Sequence, residues 1–302
     1  MIMINFQKTI ITVLGLFIIT LGVRGQTPYK VLIIDGQNDH SNWRQTTEIM
    51  KGILEETGLF SVDVATNPPS EGGALDSFKP NFAEYQAVVS NYNGYQWPED
   101  IKKEFENYVN NGGGLVIVHA ANNAFPEWQA YNRMIGVGGG IGRGLKAGVS
   151  INFGTGGGIG ANVAATDRSE GQAGAHSPEH QFRVIIRNNK HPITAGLPQV
   201  WLHENDALYN QLRGPATSME VLATAFSAKE VKGSNRHEPV IMVINFGKGR
   251  VFHTTLGHGV DSQKGVGFIT ILQRGTEWAA SGNVSQKVPS DFPTANAGRK
   301  RP

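Results

Sequence analysis

What most constrains this chain is the order of short apolar runs and amphipathic stretches between Tyr29 and His119. Tyr29 to Asp35 (YKVLIID) is a short apolar run, the pattern of a parallel strand buried on both faces. The polar loop Gly36 to Asn42 follows. The next stretch predicts a helix over Trp43 to Thr57, with Ile49, Met50, Ile53 and Leu54 on one face and Gly58 as its stop. Phe60 to Thr66 and Tyr85 to Asn91 read as strands. A helix opens at Pro98, where a missing N–H costs nothing, and runs through Val109. Gly112-Gly113-Gly114 ends it and leads into a strand from Leu115 to His119. This β-α-β-α-β alternation predicts an α/β fold, a doubly wound, mostly parallel sheet with helices on both faces. In such folds ligands bind at the rim formed by the carboxyl ends of the strands.

The middle of the chain breaks the pattern. From Gly136 to Gly160, 12 of 25 residues are Gly, so residues 136–175 are expected to be a long Gly-rich loop insertion. Gly138-Gly-Gly-Ile-Gly-Arg143 superficially resembles a dinucleotide loop, but no convincing strand precedes it and no helix clearly follows. Strands are predicted again at Gln181 to Arg187, Met219 to Ala225, Pro239 to Phe246 and Arg250 to Thr255. The last two are joined by the hairpin turn Gly247-Lys-Gly249. Gly267 to Ala280 predicts a closing helix, which completes an α/β domain over 26–282, and residues 283–302 read as a poorly ordered tail.

The first 25 residues have the form of a cleavable secretory signal. Lys8 precedes an apolar run from Thr9 to Gly22, and Val23-Arg24-Gly25 offers small residues for cleavage before Gln26. The run is shorter than the ~20 residues a spanning helix needs, so a periplasmic or secreted protein, with no membrane attachment after cleavage, is expected. There is no Cys, which excludes disulfides, thiolate ligands and a Cys nucleophile. The whole chain has 27 basic and 25 acidic residues, and the two basic residues of the signal account for the excess. A formally neutral mature chain argues against a nucleic-acid partner.

All nine histidines lie beyond residue 25. His119 ends the clearest strand, so it either opens onto the ligand rim or bonds a backbone carbonyl in the core. Asp39-His40 follows the first strand and either borders the same crevice or forms an Asx turn. His176 and His180 are four apart, a metal-ligand spacing on a helix, although Pro178 between them opposes a helix. Trp201, His203, Glu204, Asp206 and Tyr209 gather an imidazole, carboxylates and aromatic rings within nine residues, suited to acid/base work or to holding a sugar, or else to a capped helix start. Arg236-His237-Glu238 is an anion clamp or a charged loop. A Gly-x-Ser-x-Gly elbow is absent.

Four segments together resemble the ThuA-like (trehalose utilisation) family. They are Gly112 to Ala121, His191-Pro-Ile-Thr-Ala-Gly-Leu-Pro198, His203 to Tyr209 and Gly247 to His258. The segments Gly174 to His180 and Arg236 to Pro239 resemble a secreted subgroup of it. The resemblance implies a flavodoxin-like, class I glutamine amidotransferase-like fold without the amidase nucleophile, and a small-molecule carbohydrate as partner, of trehalose or 3-keto-sugar type. The expectation is therefore acid/base or metal-assisted chemistry on a glycoside or keto-sugar, or else a non-catalytic sugar-binding or scaffold protein. Catalytic roles are expected for His119, Asp206 and His258, and substrate contacts for Asp39, His40, Trp201, His203, Tyr209, Arg236 and His237. A divalent metal such as zinc would take His119, His203 and Asp206, with His176 and His180 as the alternative pair. Family members read Asp-Glu-Leu-Tyr where this chain has Asp206-Ala207-Leu208-Tyr209.

Overall fold

The computed structural model describes residues 27–69, 72–140, 142–153, 165–167 and 173–302. The expected signal segment and much of the Gly-rich stretch lie outside the described residues. No described helix is long and apolar enough to cross a membrane.

The predicted alternation is present. Strand β1 (Tyr29–Asp35), helix α1 (Trp43–Glu55), β2 (Phe60–Thr66), β3 (Ala87–Ser90), α2 (Glu99–Asn110) and β4 (Gly114–Val118) follow one another, and α3 (Gln129–Ile135) comes next. Short strands β5 (Val149–Asn152), β6 (Ala165–Asp167) and β7 (Ala175–His176) precede β8 (His180–Ile186) and β9 (Val200–Asp206). Then come β10 (Tyr209–Asn210), β11 (Arg213–Gly214), β12 (Met219–Ser227), β13 (Arg236–Phe246), β14 (Gly249–Thr254), α4 (Val260–Gln263) and α5 (Val266–Ser281).

Nine strands form one sheet in the order β2-β1-β3-β4-β14-β13-β12-β8-β9. The first five are mutually parallel, and the rest alternate in direction. Only β13 and β8 therefore run against the others, and the expected mixed α/β, mostly parallel architecture holds. Alternate residues of the parallel strands enter opposite cores. Val31 and Ile33 pack with Met50 and Leu54 of α1 and Phe268 and Ile271 of α5. Leu32 and Ile34 pack in the other core, with Ile101, Phe105 and Val109 of α2. This double burial is why the strand reads as an unbroken apolar run rather than an alternating one.

Two expectations are corrected. The start of the Gly-rich stretch is not a bare loop. Strands β11, β5 and β6 form a small second sheet, and the buried Arg143 guanidinium donates to the carbonyls of Gly139 and Ala124 and to Asn132 Oδ1. Arg143 thus points inward to satisfy carbonyls rather than outward to a phosphate. The segment after Gly282 is docked rather than loose. Val284, Val288 and Phe292 pack on the core, Leu202 N–H of the edge strand β9 donates to Thr294 C=O, and Arg274 donates to Gln286 C=O. Its last basic residues pair with Asp261 and Asp291. Apolar anchors spaced among polar residues are easily read as linker, because their partners lie elsewhere in the chain.

Candidate functional site

The site begins where β4 and β14 end. These strands are parallel neighbours with Val118 opposite Thr254, so the chain leaves both at one level. After Val118 the backbone turns sharply at His119, whose φ is 44°. A non-glycine residue in this left-handed region is uncommon and strained. Tight strand-to-helix turns of this kind present reactive side chains at the rim of some α/β enzymes. The His119 Nδ1–H donates to Thr255 C=O at 2.6 Å, across the two strand ends.

Two other imidazoles meet it. His40 comes from the loop after β1 and His258 from the turn after β14. Ring centroids are 5.2 Å apart for His40 and His119, 4.3 Å for His40 and His258, and 5.1 Å for His119 and His258. One ring nitrogen from each lies within 4.8 Å of the others, which makes this the group among the described residues able to hold a metal ion. Asn38, Thr46, Asn91, Ala120 and Gly257 complete the walls of a cavity of about 10 Å³ beside the rings. That is room for about one water-sized particle. Tyr209 lies 4.6 Å from the His119 ring, and His176 lies 5.7 Å from His258 and 5.8 Å from Tyr209. The pairing of β10 with β7 sets Tyr209 opposite His176.

The neighbours of the rings fix their tautomers. His40 Nδ1 faces Asn38 Oδ1 at 3.0 Å, and His258 Nδ1 faces a Glu179 carboxylate oxygen at 2.7 Å. Asn38 donates its own NH₂ to Asn91. All three Nδ1 atoms therefore meet acceptors, and in the neutral His40 and His119 rings this leaves Nε2 with a lone pair. His119 Nε2 is buried without a protein partner. Burial lowers the pKa of His119 to about 3 and, with the nearby His258, that of His40 to about 4. Both rings are neutral near pH 7. Burial also pushes the Tyr209 phenol up, and its oxygen accepts from Asn123 Nδ2 at 3.0 Å.

Asp206 organises this site from behind. Its Oδ2 accepts from His203 Nε2 at 2.9 Å and Gly257 N at 2.8 Å, and its Oδ1 accepts from Ala207 N at 2.9 Å and His258 N at 3.0 Å. Burial alone would raise this carboxyl, but the His203 hydrogen bond and charge, His119 and the Gly257 N–H hold it below its usual value. With both oxygens occupied twice, Asp206 is placed to fix backbone rather than to ligate. The expected metal set His119, His203 and Asp206 is thus divided. His119 joins His40 and His258, while His203 is buried against Asp206 and Phe182.

Comparison with known families and structures accords with this geometry. Residues 30–279 match the ThuA family, described as trehalose utilisation. The chain belongs to the ThuA family. Among solved structures it is similar to a ThuA-like protein from Parabacteroides merdae ATCC 43184, with 41% identity and a TM-score of 0.85, covering 91% of this chain and 98% of that one. A ThuA-like protein from Bacteroides uniformis ATCC 8492 shares the fold at 18% identity and a TM-score of 0.57, over 86% of this chain and 95% of that one. The search of curated proteins gave no match.

Within this ThuA-family chain the remaining expected residues separate. Asp39 stays at the site's edge, exchanging hydrogen bonds with Asn93. Trp201 is fully buried against Phe292, in the core rather than at a sugar. The segment from Val200 to Asp206 is a strand and not a helix start. Arg236 and His237 take positions on β13 beside Ser227 and Phe226 rather than in the imidazole cluster. The pair His176 and His180 is split, since His180 turns back to Pro178 C=O and packs on Phe182. Ala207 is buried where the family pattern carries Glu. Asn38, Glu179 and Asn123 were not singled out from the sequence. Asn38 and Glu179 sit one or two positions from histidines that were, and that adjacency is the signal that could have found them.

Proposed function

We propose that this ThuA-family protein is an exported enzyme of carbohydrate utilisation that acts on a glycoside or keto-sugar at the imidazole pocket. One observation carries the reading: a buried lone pair on His119 Nε2, aimed from a backbone at φ 44°. An unmet buried acceptor costs about 1–3 kcal/mol, and a strained residue costs a similar amount. A purely structural histidine calls for neither. Neutral imidazole lone pairs serve acid/base and metal-assisted chemistry alike. The family's description as trehalose utilisation supports a sugar as substrate, and the signal-like residues 1–25 support export to the periplasm or beyond. A cavity of about 10 Å³ cannot enclose a sugar ring. The substrate therefore lies across the mouth, beside Tyr209 and His176, with one reacting oxygen directed at the imidazoles.

The test is a screen of glycosides and 3-keto-glycosides with the native protein and His119→Ala. Turnover by the native protein and its loss in the variant are expected. Equal product from both would remove His119 from the reaction. Ala207 favours a second reading, a sugar-binding protein without turnover, because the family's carboxylate is missing there. Saturable binding with no product from any sugar in the screen would select that reading.

A further inference from the structure

We propose that His40, His119 and His258 bind one divalent metal ion of the zinc class through their Nε2 atoms, as a three-histidine site with one open coordination position. This deepens the preceding reading by naming what the pocket holds, and its evidence is independent of any sugar.

Four observations converge on it. First, all three imidazoles line one small space, and His119 Nε2 is buried there without a protein partner. Second, the dimensions fit. Ligand nitrogens around a tetrahedral ion stand roughly 3.3 Å apart for bonds of ~2.0–2.1 Å. The atoms here lie within 4.8 Å of each other, so each moves inward by less than about 1 Å. Third, each ligand has the outer partner that metal-bound histidines need: a backbone carbonyl for His119, an amide oxygen for His40 and a carboxylate for His258. Fourth, Asp206 and His203, whose charge and lone pairs could compete, are already joined to each other.

The donor set selects the ion. Three imidazoles without a carboxylate suit Zn2+, Co2+ or Ni2+, and disfavour Mg2+ and Ca2+, which demand oxygen ligands. Three protein ligands leave a position for water or a sugar oxygen, the arrangement of catalytic rather than structural zinc. An ion there would polarise a carbonyl or acidify a bound hydroxyl. His176 and Tyr209, the rings bordering the cluster, are placed to hold the rest of the substrate.

The test uses the full chain stripped with a chelator, then titrated with Zn2+ calorimetrically and with Co2+ by visible absorption. One ion per chain is expected, with the intense visible bands of four-coordinate Co2+ and no competition from excess Mg2+ or Ca2+. His258→Ala, at a partly exposed ring, should weaken binding by ~100-fold or more, and Asn38→Ala by ~10–100-fold through loss of the outer partner. Thermal unfolding of the metal-free variants checks that they fold. Absence of the Co2+ bands in the native chain, or native affinity in folded His258→Ala, overturns the proposal. Full sugar turnover by a native chain that binds neither Zn2+ nor Co2+ would overturn it while leaving the carbohydrate reading intact. Stoichiometric metal with no turnover of any sugar would uphold it and count against that reading.

Discussion

The carboxylate of Asp206 accepts the backbone N–H of His258 at 3.0 Å, although the two residues are 52 positions apart. Its other oxygen accepts the N–H of Gly257 at 2.8 Å. One side chain at the end of β9 thus fixes the turn that carries the His258 imidazole.

Asp206→Asn is expected to destabilise the fold by about 3 kcal/mol. An amide turns one acceptor into a donor facing existing N–H groups, and removes the charge that strengthens the hydrogen bonds from His203, Gly257, Ala207 and His258. Urea unfolding at pH 7 measures this loss. A change within error would show that the four hydrogen bonds contribute little.

Much of the fold and part of the site can be read directly from the sequence. The parallel half is legible because burial on both faces writes itself as unbroken apolar runs, and His119 is legible because a strand ends there. His40 and His258 are visible as rim residues, yet their grouping depends on strand order, which periodicity does not encode. Trp201 misleads because an aromatic ring beside polar residues looks the same whether it faces a ligand or Phe292. Asp206 misleads because a buried carboxylate holding backbone has the same local sequence as a ligating one.

Gly257→Ala should cost about 2–4 kcal/mol. Gly257 has φ +100°, and an added Cβ would lie 2.5 Å from the Phe268 ring. Strain and overlap both penalise a side chain. Differential scanning calorimetry of the variant tests it, and an unchanged midpoint would contradict the packing described.

Stability should fall on acidification below about pH 6.5. His253 is fully buried, with Nδ1 donating to Ile135 C=O, and burial lowers its pKa to about 4 from 6.5. Between these values the unfolded chain binds the proton and the folded chain does not. The contribution is complete above the unfolded value and declines by up to ~1.4 kcal/mol per pH unit as pH drops toward the folded one. His237, lowered to about 4, adds a change of the same sign. Urea midpoints from pH 7.5 to 4.5 should show the slope, and His253→Gln should make it shallower. An identical slope in the variant would assign the effect to other groups.

Deleting residues 283–302 should destabilise the protein by roughly 4 kcal/mol, from the partial burial of Val284, Val288 and Phe292. It also bares the Leu202 N–H on the edge strand, so self-association should rise. Light scattering and thermal unfolding report both, and a monomeric truncation of native stability would restore the view of a loose tail.

The docking of these final residues also sets a timetable. Until residues 283–302 have emerged, the outermost strand β9 lacks the cover they give it. Completion of the native state therefore waits for residues 283–302 to dock, and any factor that shields the growing chain has this strand to guard.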